Sequence, residues 1–364
     1  MPSLLDPLTL GALDLPNRIL MAPLTRGRGT RDHVPTGLMG DYYEQRASAG
    51  LIISEATGIS QEGLGWPYAP GLWNPAQVEA WKPIVERVHR AGGRIVAQLW
   101  HMGRLVHPSF LGGRPPLGAS PIAAPAHAHT YEGKAPYATP RAMEVDEVPR
   151  LLGDYARAAS NAMTAGFDGV QIHAANGYLI DTFLRDGANQ RDDAYGGPIE
   201  NRVRLLREVA ETVRDVVGGS RTGVRLSPNG ESQGNNDSDP EPLFTAAAAA
   251  LAQAGVAWLE LREPDFDSSF SPADHPAIAP SIRKVFSGPL VLNSDYDGAK
   301  GQATLDAGGA DAIAFGRPFI ANPDLVRRMA QRRPLTDPDY GTFYSQGPHG
   351  YTDYPLAEQA IAAE

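Results

Sequence analysis

The chain has 364 residues, a formal charge of −10 and no cysteine; 42% of it is hydrophobic and 20% charged. That composition is globular and long enough to bury a large core, and the lack of Cys excludes disulfides, thiolate zinc sites, iron–sulfur clusters and cysteine nucleophiles. The acidic balance argues against nucleic acid or an anionic membrane surface as the main partner.

The N-terminal MPSLLDPLTLGALDLPNR has no basic n-region, and Asp6, Pro7 and Asp14 interrupt its apolar run. No signal peptide is expected, and the cytoplasm is the default location. LTLGALDLPN, within residues 1–17, predicts a short hairpin that plugs the bottom of whatever follows. Short apolar runs then recur between helical stretches: ILMA (19–22), LIISEA (51–56), RIVAQLW (94–100), GVQIHA (169–174), TGVRLS (222–227), AWLELR (257–262), PLVLNS (289–294) and DAIAFG (311–316). Runs of this kind alternating with helices predict an α/β fold, a (β/α)8 TIM barrel occupying 1–364 as one domain. Helix signals agree. Asn74 and Pro75 open a helix that a Gly pair stops, Asn322 and Pro323 repeat that start, and ENRVRLLREVAETVRDVVGG ends in Gly218–Gly219. The uncharged stretch Leu243 to Leu259 is shorter than the roughly 20 residues a spanning helix needs, and it reads as a helix ending near Gly255 followed by a strand. Residues 103–142, after the third strand, are Gly-, Pro-, Ala- and His-rich and predict a lid over the mouth. Residues 334–364 are expected to fold back over the same mouth.

Active sites of such barrels lie at the C-terminal strand ends. Those ends carry Pro23, Leu24, Thr25 and Arg26; Ala56 and Thr57; Gln98, Trp100 and His101; His173, Asn176 and Tyr178; Arg225 and Ser227; Glu260 and Arg262; Asn293, Ser294 and Asp295; Gly316 and Arg317. The set is poor in carboxylates and has no Lys, which disfavours hydrolysis and a Schiff base. It is rich in neutral hydrogen-bonding groups and Arg, which suits a flat, partly anionic ligand. Gly316 and Arg317 predict a phosphate site. His173 and Asn176 can both aim N–H donors at one ligand oxygen and polarise it, while Tyr178 is a weak acid that can protonate only a strongly basic centre. His127–Ala128–His129 falls in a loop without matching carboxylates, so no metal is expected, and no GxGxxG follows a strand. On the residues alone, a barrel enzyme acting on a sugar phosphate and a non-catalytic binding protein also stay open.

APLTRGR, YYEQRASAGLIISEAT, GWPYAPGLW, AQLWHMGR, GFDGVQIHAANGYLIDTFLRDGAN, RDDAYGGPIENRVR, GVRLSP, WLELRE and AFGRPFIANPDLVRR make the chain resemble the Old Yellow Enzyme family of flavin-dependent ene-reductases over nearly its full length. The likeness is greatest to the classical bacterial branch (N-ethylmaleimide, nitrate-ester and alkene reductases) and the plant 12-oxophytodienoate reductases. The resemblance implies non-covalent FMN at the mouth, NADPH or NADH as hydride donor, and a small activated alkene as substrate. Its catalysis would be ping-pong, with hydride passing from flavin N5 to the β-carbon and a proton to the α-carbon. Pro23, Leu24, Thr25, Ala56, Gln98 and Arg225 would surround the flavin ring. Ser294, Asp295, Gly316 and Arg317 would hold its phosphate. Tyr178 would be the proton donor and His173 and Asn176 the oxygen-binding pair. Thr25, Trp66, Trp100 and Tyr351 would complete the substrate side. Thr25 stands where one branch has Cys, and the donor pair is His/Asn rather than His/His. A monomer and a homodimer both fit.

Overall fold

The structure is a computed structural model that describes residues 1–268 and 272–357. Eight parallel strands form its centre: β1 (Ile19–Met21), β2 (Leu51–Ile53), β3 (Ile95–Trp100), β4 (Gly169–Ala174), β5 (Thr222–Leu226), β6 (Trp258–Arg262), β7 (Leu290–Asn293) and β8 (Ala312–Phe315). They are hydrogen-bonded in the order β4-β5-β6-β7-β8-β1-β2-β3, and β3 pairs back onto β4, so the sheet closes into a barrel. Each expected strand is present; Gly169–Ala174 keeps its expected bounds and the other seven are shortened at one or both ends. Residues such as Ala22, Ser227, Ser294 and Gly316 leave the ladder to form the mouth.

Strands buried on both faces read as continuous apolar runs. One face packs on the surrounding helices through Ile52, Leu99, Ile172, Val224, Leu259, Leu261 and Ile313. The other fills the barrel floor with Leu20, Leu51, Val96, Trp258 and Val291. The N-terminal strands Leu8–Leu10 and Leu13–Leu15 pair antiparallel, and Leu10, Leu13 and Leu15 join that floor cluster. The hairpin therefore closes the bottom. Gly11 makes the closure fit: its φ is +63°, and a Cβ there would stand 2.1 Å from the Ser220 carbonyl oxygen.

Helix starts follow the capping signals in part. Asn74 accepts from the Gln77 N–H and completes a reciprocal capping box for Pro75–Arg90. Pro240–Ala254 ends on a left-handed Gly255, and Arg204–Val217 ends at Gly218. The expected start at Asn322 is corrected, because the helix there runs Leu325–Ala330 behind Asp324. The Asn322 amide is instead spent on the carbonyls of Pro318 and Thr336. No helix among the described residues is long and apolar enough to cross a membrane.

Residues 103–142 contain more structure than a loop. Leu117–Gly118 pairs with Arg141–Ala142, and His127–Thr130 pairs antiparallel with Gly133–Pro136. The His127/His129 pair expected in a loop thus lies on a hairpin strand, where two histidines two residues apart share one face. Among the described residues no group of three or more His, Cys, Asp or Glu is gathered as a metal cluster. Of the C-terminal segment 334–364, residues 334–357 are described and 358–364 lie outside the described residues. The described part reaches the β1 loop, where Arg26 and Arg28 donate to the carbonyls of Phe343 and Gly350.

Candidate active site

The upper barrel is crossed by one chain of buried polar groups. Gln98 on β3 donates to the Gln171 carbonyl at 2.7 Å, and Gln171 on β4 donates to Glu260 Oε2 at 2.7 Å. Arg225 Nε on β5 lies 3.0 Å from Glu260 Oε1. That approach is off the donor axis, so it is an ion contact rather than a hydrogen bond. Arg225 also donates to Asn293 Oδ1 at 2.7 Å, and Asn293 on β7 donates to the Ala314 carbonyl on β8 at 2.7 Å. Six strands, β3 to β8, are thereby keyed together just below the mouth. Gln171 is absent from the sequence reading and Glu260 stands there as a strand-end residue without a stated role, yet each sits two residues before a strand-end polar residue in an otherwise apolar strand. That alternation marks an inward-facing polar column.

Above β4 the chain turns sharply. Asn176 and Gly177 both take positive φ, 59° and 78°, a conformation Asn and Gly tolerate best. The turn is held by Asn176 N–H to Ser227 Oγ, 2.9 Å, and Gly177 N–H to Asp181 Oδ2, 2.8 Å. It leaves Tyr178 at the start of the helix Leu179–Leu184. His173, Trp100 and Tyr178 consequently meet edge to face: Tyr178 lies 4.9 Å from each of the other two rings, and the Trp100 and His173 rings are 6.5 Å apart and nearly parallel. Ala56 and Trp66 pack into the same apolar group.

Burial sets the chemistry of these side chains. It pushes the His173 imidazole well below its usual range, helped by the Arg225 charge, so His173 is neutral near pH 7. Burial pushes the Tyr178 phenol up, with Tyr137 and Tyr344 adding to it and Arg225 opposing, so the proton is held until a strong base demands it. His173 Nδ1, Asn176 Oδ1 and Trp100 Nε1 are buried without a hydrogen-bond partner. Buried polar atoms are nearly always paired, so three orphans on one wall mark a place for a ligand.

At the other side of the mouth, Ser294 and Asp295 take φ of 140° and 48°, and Gly316 opens the turn into Arg317–Ala321. The four residues expected around a phosphate are brought together. Arg317 is paired with the Asp295 carboxylate and donates to the Tyr340 hydroxyl. Pro23 and Ala56 are buried, and Leu24 and Thr25 are partly open at the ends of β1 and β2. The β1 loop is fixed by Glu55, whose Oε2 accepts the N–H groups of Arg26 and Gly27 at 3.2 and 3.0 Å. A strand-end carboxylate is a positional signal the sequence reading left unused.

Tyr351 does not line the site. It is fully buried, stacked on Tyr42 at 4.1 Å and covered by the Arg26 and Arg28 guanidinium groups at 5.1 and 4.6 Å. A ring held between a phenol and two cations has no face left for a substrate. The tail residue at the mouth is Tyr344. Its ring is 5.1 Å from Trp66 and 5.7 Å from His129 of the inserted hairpin. Trp66, His129 and Tyr344, from three separate segments, form one rim.

The residues present fit a flavin mononucleotide: orphaned donors and acceptors on one wall, a buried amide and guanidinium beneath, and an arginine with left-handed backbone at one end. Comparison with known proteins agrees. The model of the NADH:flavin oxidoreductase / NADH oxidase family matches residues 3–336. The chain is 40% identical to flavin oxidoreductase hxnT of Emericella nidulans, with 98% of each chain covered. It is 41% identical to 12-oxophytodienoate reductase 1 of Oryza sativa subsp. japonica, over 98% of this chain and 93% of that one. Among solved structures it superposes on the old yellow enzyme homologue from Zymomonas mobilis with a TM-score of 0.96 at 61% identity, covering 98% of this chain and 100% of that one. It superposes on morphinone reductase with a TM-score of 0.94 at 46% identity, covering 99% and 97%. The chain therefore belongs to the NADH:flavin oxidoreductase / NADH oxidase family, as an FMN-dependent, NAD(P)H-oxidising ene-reductase of the Old Yellow Enzyme kind.

Proposed function

We propose that this chain reduces the C=C bond of α,β-unsaturated carbonyl compounds, maleimides and nitroalkenes, and accepts nitrate esters, with nicotinamide and alkene using one site in turn. The observation that carries this reading is the wall of orphaned polar atoms on His173 and Asn176 beside the Tyr178 ring. When bound, FMN supplies the two-electron exchange between nicotinamide and alkene.

Around it, Pro23, Leu24, Thr25, Ala56, Gln98 and Arg225 would hold the ring, and Gly316 and Arg317, with the backbone around Ser294 and Asp295, would hold the phosphate. Neutral His173 donates an N–H to the substrate oxygen. Half a turn of the Asn176 amide exchanges its orphaned Oδ1 for Nδ2 and sets a second donor there. Two donors on that oxygen draw charge from the alkene, and each is worth about 3 kcal/mol in the transition state. Tyr178 protonates the α-carbon; its raised pKa keeps the proton available for a carbanion-like centre and withholds it from weaker bases. Trp66 and Trp100 shape the space, and residues 103–142 serve as its lid.

The test is anaerobic and divides the cycle in two. Tyr178→Phe should be reduced by NADPH or NADH at the rate of the parent and then slow sharply with 2-cyclohexenone. Loss of the first half-reaction instead would remove Tyr178 from the proton-donor role.

A further inference from the structure

Three arginines are buried where β4, β5 and β6 open into the mouth, and only two have a carboxylate. Arg185 Nε is 3.2 Å from Asp181 Oδ1, and the other Asp181 oxygen accepts the Gly177 N–H. Arg225 faces Glu260, whose second oxygen accepts from Gln171. Arg262 is the third. It is 8% exposed, makes no ion pair and no side-chain hydrogen bond among the described residues, and its Nη1 is fully buried without a partner. The next residue does not help, because the Glu263 carboxylate is spent on the N–H groups of Ile278 and Ala279 at 2.6 and 3.2 Å.

Its position follows from strand geometry. Side chains alternate along β6: Leu259 and Leu261 pack outward on the helices, while Glu260 points inward to Gln171 and Arg225. Arg262 therefore shares the inward column, one step nearer the mouth. The register that pairs Leu226 with Leu261 sets Ser227 level with Arg262, and Ser227 Oγ is what holds Asn176. On its other side Arg262 is paired with Asn293 of β7, so it stands between the Asn176 turn and the phosphate residues that follow β7 and β8. Burial and the neighbouring Arg225 charge bring its guanidinium down to about 10, so it still carries a full charge at neutral pH.

A buried guanidinium with no paired counter-charge, only the more distant Asp181, is a costly arrangement that an anionic ligand relieves. We propose that Arg262 reads an anion on the substrate: it pairs with a carboxylate carried beside the activated double bond, so that carboxylate-bearing alkenes are preferred over neutral ones of the same shape. The inference rests on the substrate site proposed above. Bidentate guanidinium–carboxylate pairing gives the preference its geometry, and lysine, a point charge, reproduces only part of it.

The test uses the FMN-loaded enzyme with 2-cyclohexenone and a ring-carboxylated cyclohexenone, titrated without nicotinamide and read from the flavin absorbance. The parent should bind the carboxylate compound more tightly. Arg262→Met should lower the ratio of the two affinities at least tenfold, and Arg262→Lys should restore part of it. FMN content and FMN affinity are measured on each variant. An unchanged ratio overturns the proposal, and an unchanged ratio with weakened FMN binding assigns the guanidinium to the cofactor instead. Should Arg262→Met fail to fold, the ratio in Arg262→Lys decides alone: a ratio equal to the parent's overturns the proposal. If the parent reduces neither compound with NADPH or NADH, the substrate-site reading fails; if it reduces cyclohexenone while the ratio stays fixed, only Arg262 is misassigned.

Discussion

Two sets of buried arginines sit within one mouth and differ in how their hydrogens are used. Arg26 and Arg28, in the loop after β1, spend theirs on the tail. Arg26 donates to the Phe343 carbonyl, the Tyr42 hydroxyl and the Gly350 carbonyl. Arg28 donates to the carbonyls of Arg26, Phe343 and Thr342 and to Ser345 Oγ. Arg225 and Arg262, on β5 and β6, keep Nε and Nη1 respectively without a hydrogen bond. A guanidinium whose donors are satisfied by its own chain is a clasp, and one left short is waiting for a ligand. Tyr351 is set apart from Tyr178 by its faces instead: they are covered by Tyr42 and two cations, although its hydroxyl too has no partner. Among these arginines, satisfaction of donors rather than residue type divides structure from site.

Substitutions can break that division. The largest effect should come from Tyr178→Phe, which slows the alkene half-reaction by about 10²–10⁴-fold in single-turnover kinetics without moving the melting temperature. His173→Ala and Asn176→Ala should each lower kcat/KM for cyclohexenone by about 10²–10³-fold. Either variant leaving kcat/KM intact would mean that the orphaned atoms are not what the substrate meets. The clasp should behave in the opposite way. Arg28→Met strands several tail carbonyls and should cost about 3 kcal/mol of stability, seen as a lower midpoint in denaturant. Its turnover per bound flavin should persist where it is folded. Tyr344→Ala and Tyr351→Ala sharpen the contrast within the tail: the first should raise KM severalfold, and the second should act on stability.

Much of the barrel is legible in the sequence because parallel strands covered on both faces leave contiguous apolar runs that nothing else in the chain imitates. The β4 end is legible for another reason. His173, Asn176 and Tyr178 crowd polar groups into six residues after a buried strand, which a plain core does not do. The tail is not legible, since it is held through backbone carbonyls that every residue carries alike. Sequence pattern therefore cannot tell Tyr344 from Tyr351. The inward column of Gln171 and His173, and of Glu260 and Arg262, stood in plain view as polar residues two apart in apolar strands. Its meaning needed the register that sets β4, β5 and β6 side by side. Asn322 misled for a local reason, because a cap-forming side chain also bonds well to nearby carbonyls.

The smallest effect is expected at the phosphate end, and its sign discriminates. Arg317 and Asp295 are paired and partly open to solvent, at 30% and 23% side-chain exposure, and Ser268 Oγ donates to the other Asp295 oxygen at 2.5 Å. A phosphate arriving there competes with the carboxylate for the same fork and is repelled by it. Asp295→Asn removes both penalties and keeps a residue that accepts the left-handed backbone at that position. FMN should then bind more tightly by about 1 kcal/mol, the scale of a solvent-screened charge interaction, measured by quenching of FMN fluorescence. A weaker complex would mean that Asp295 serves as the support that aims Arg317 at the phosphate. Arg317 would then be a third kind of arginine, held by its own chain and still presented to a ligand.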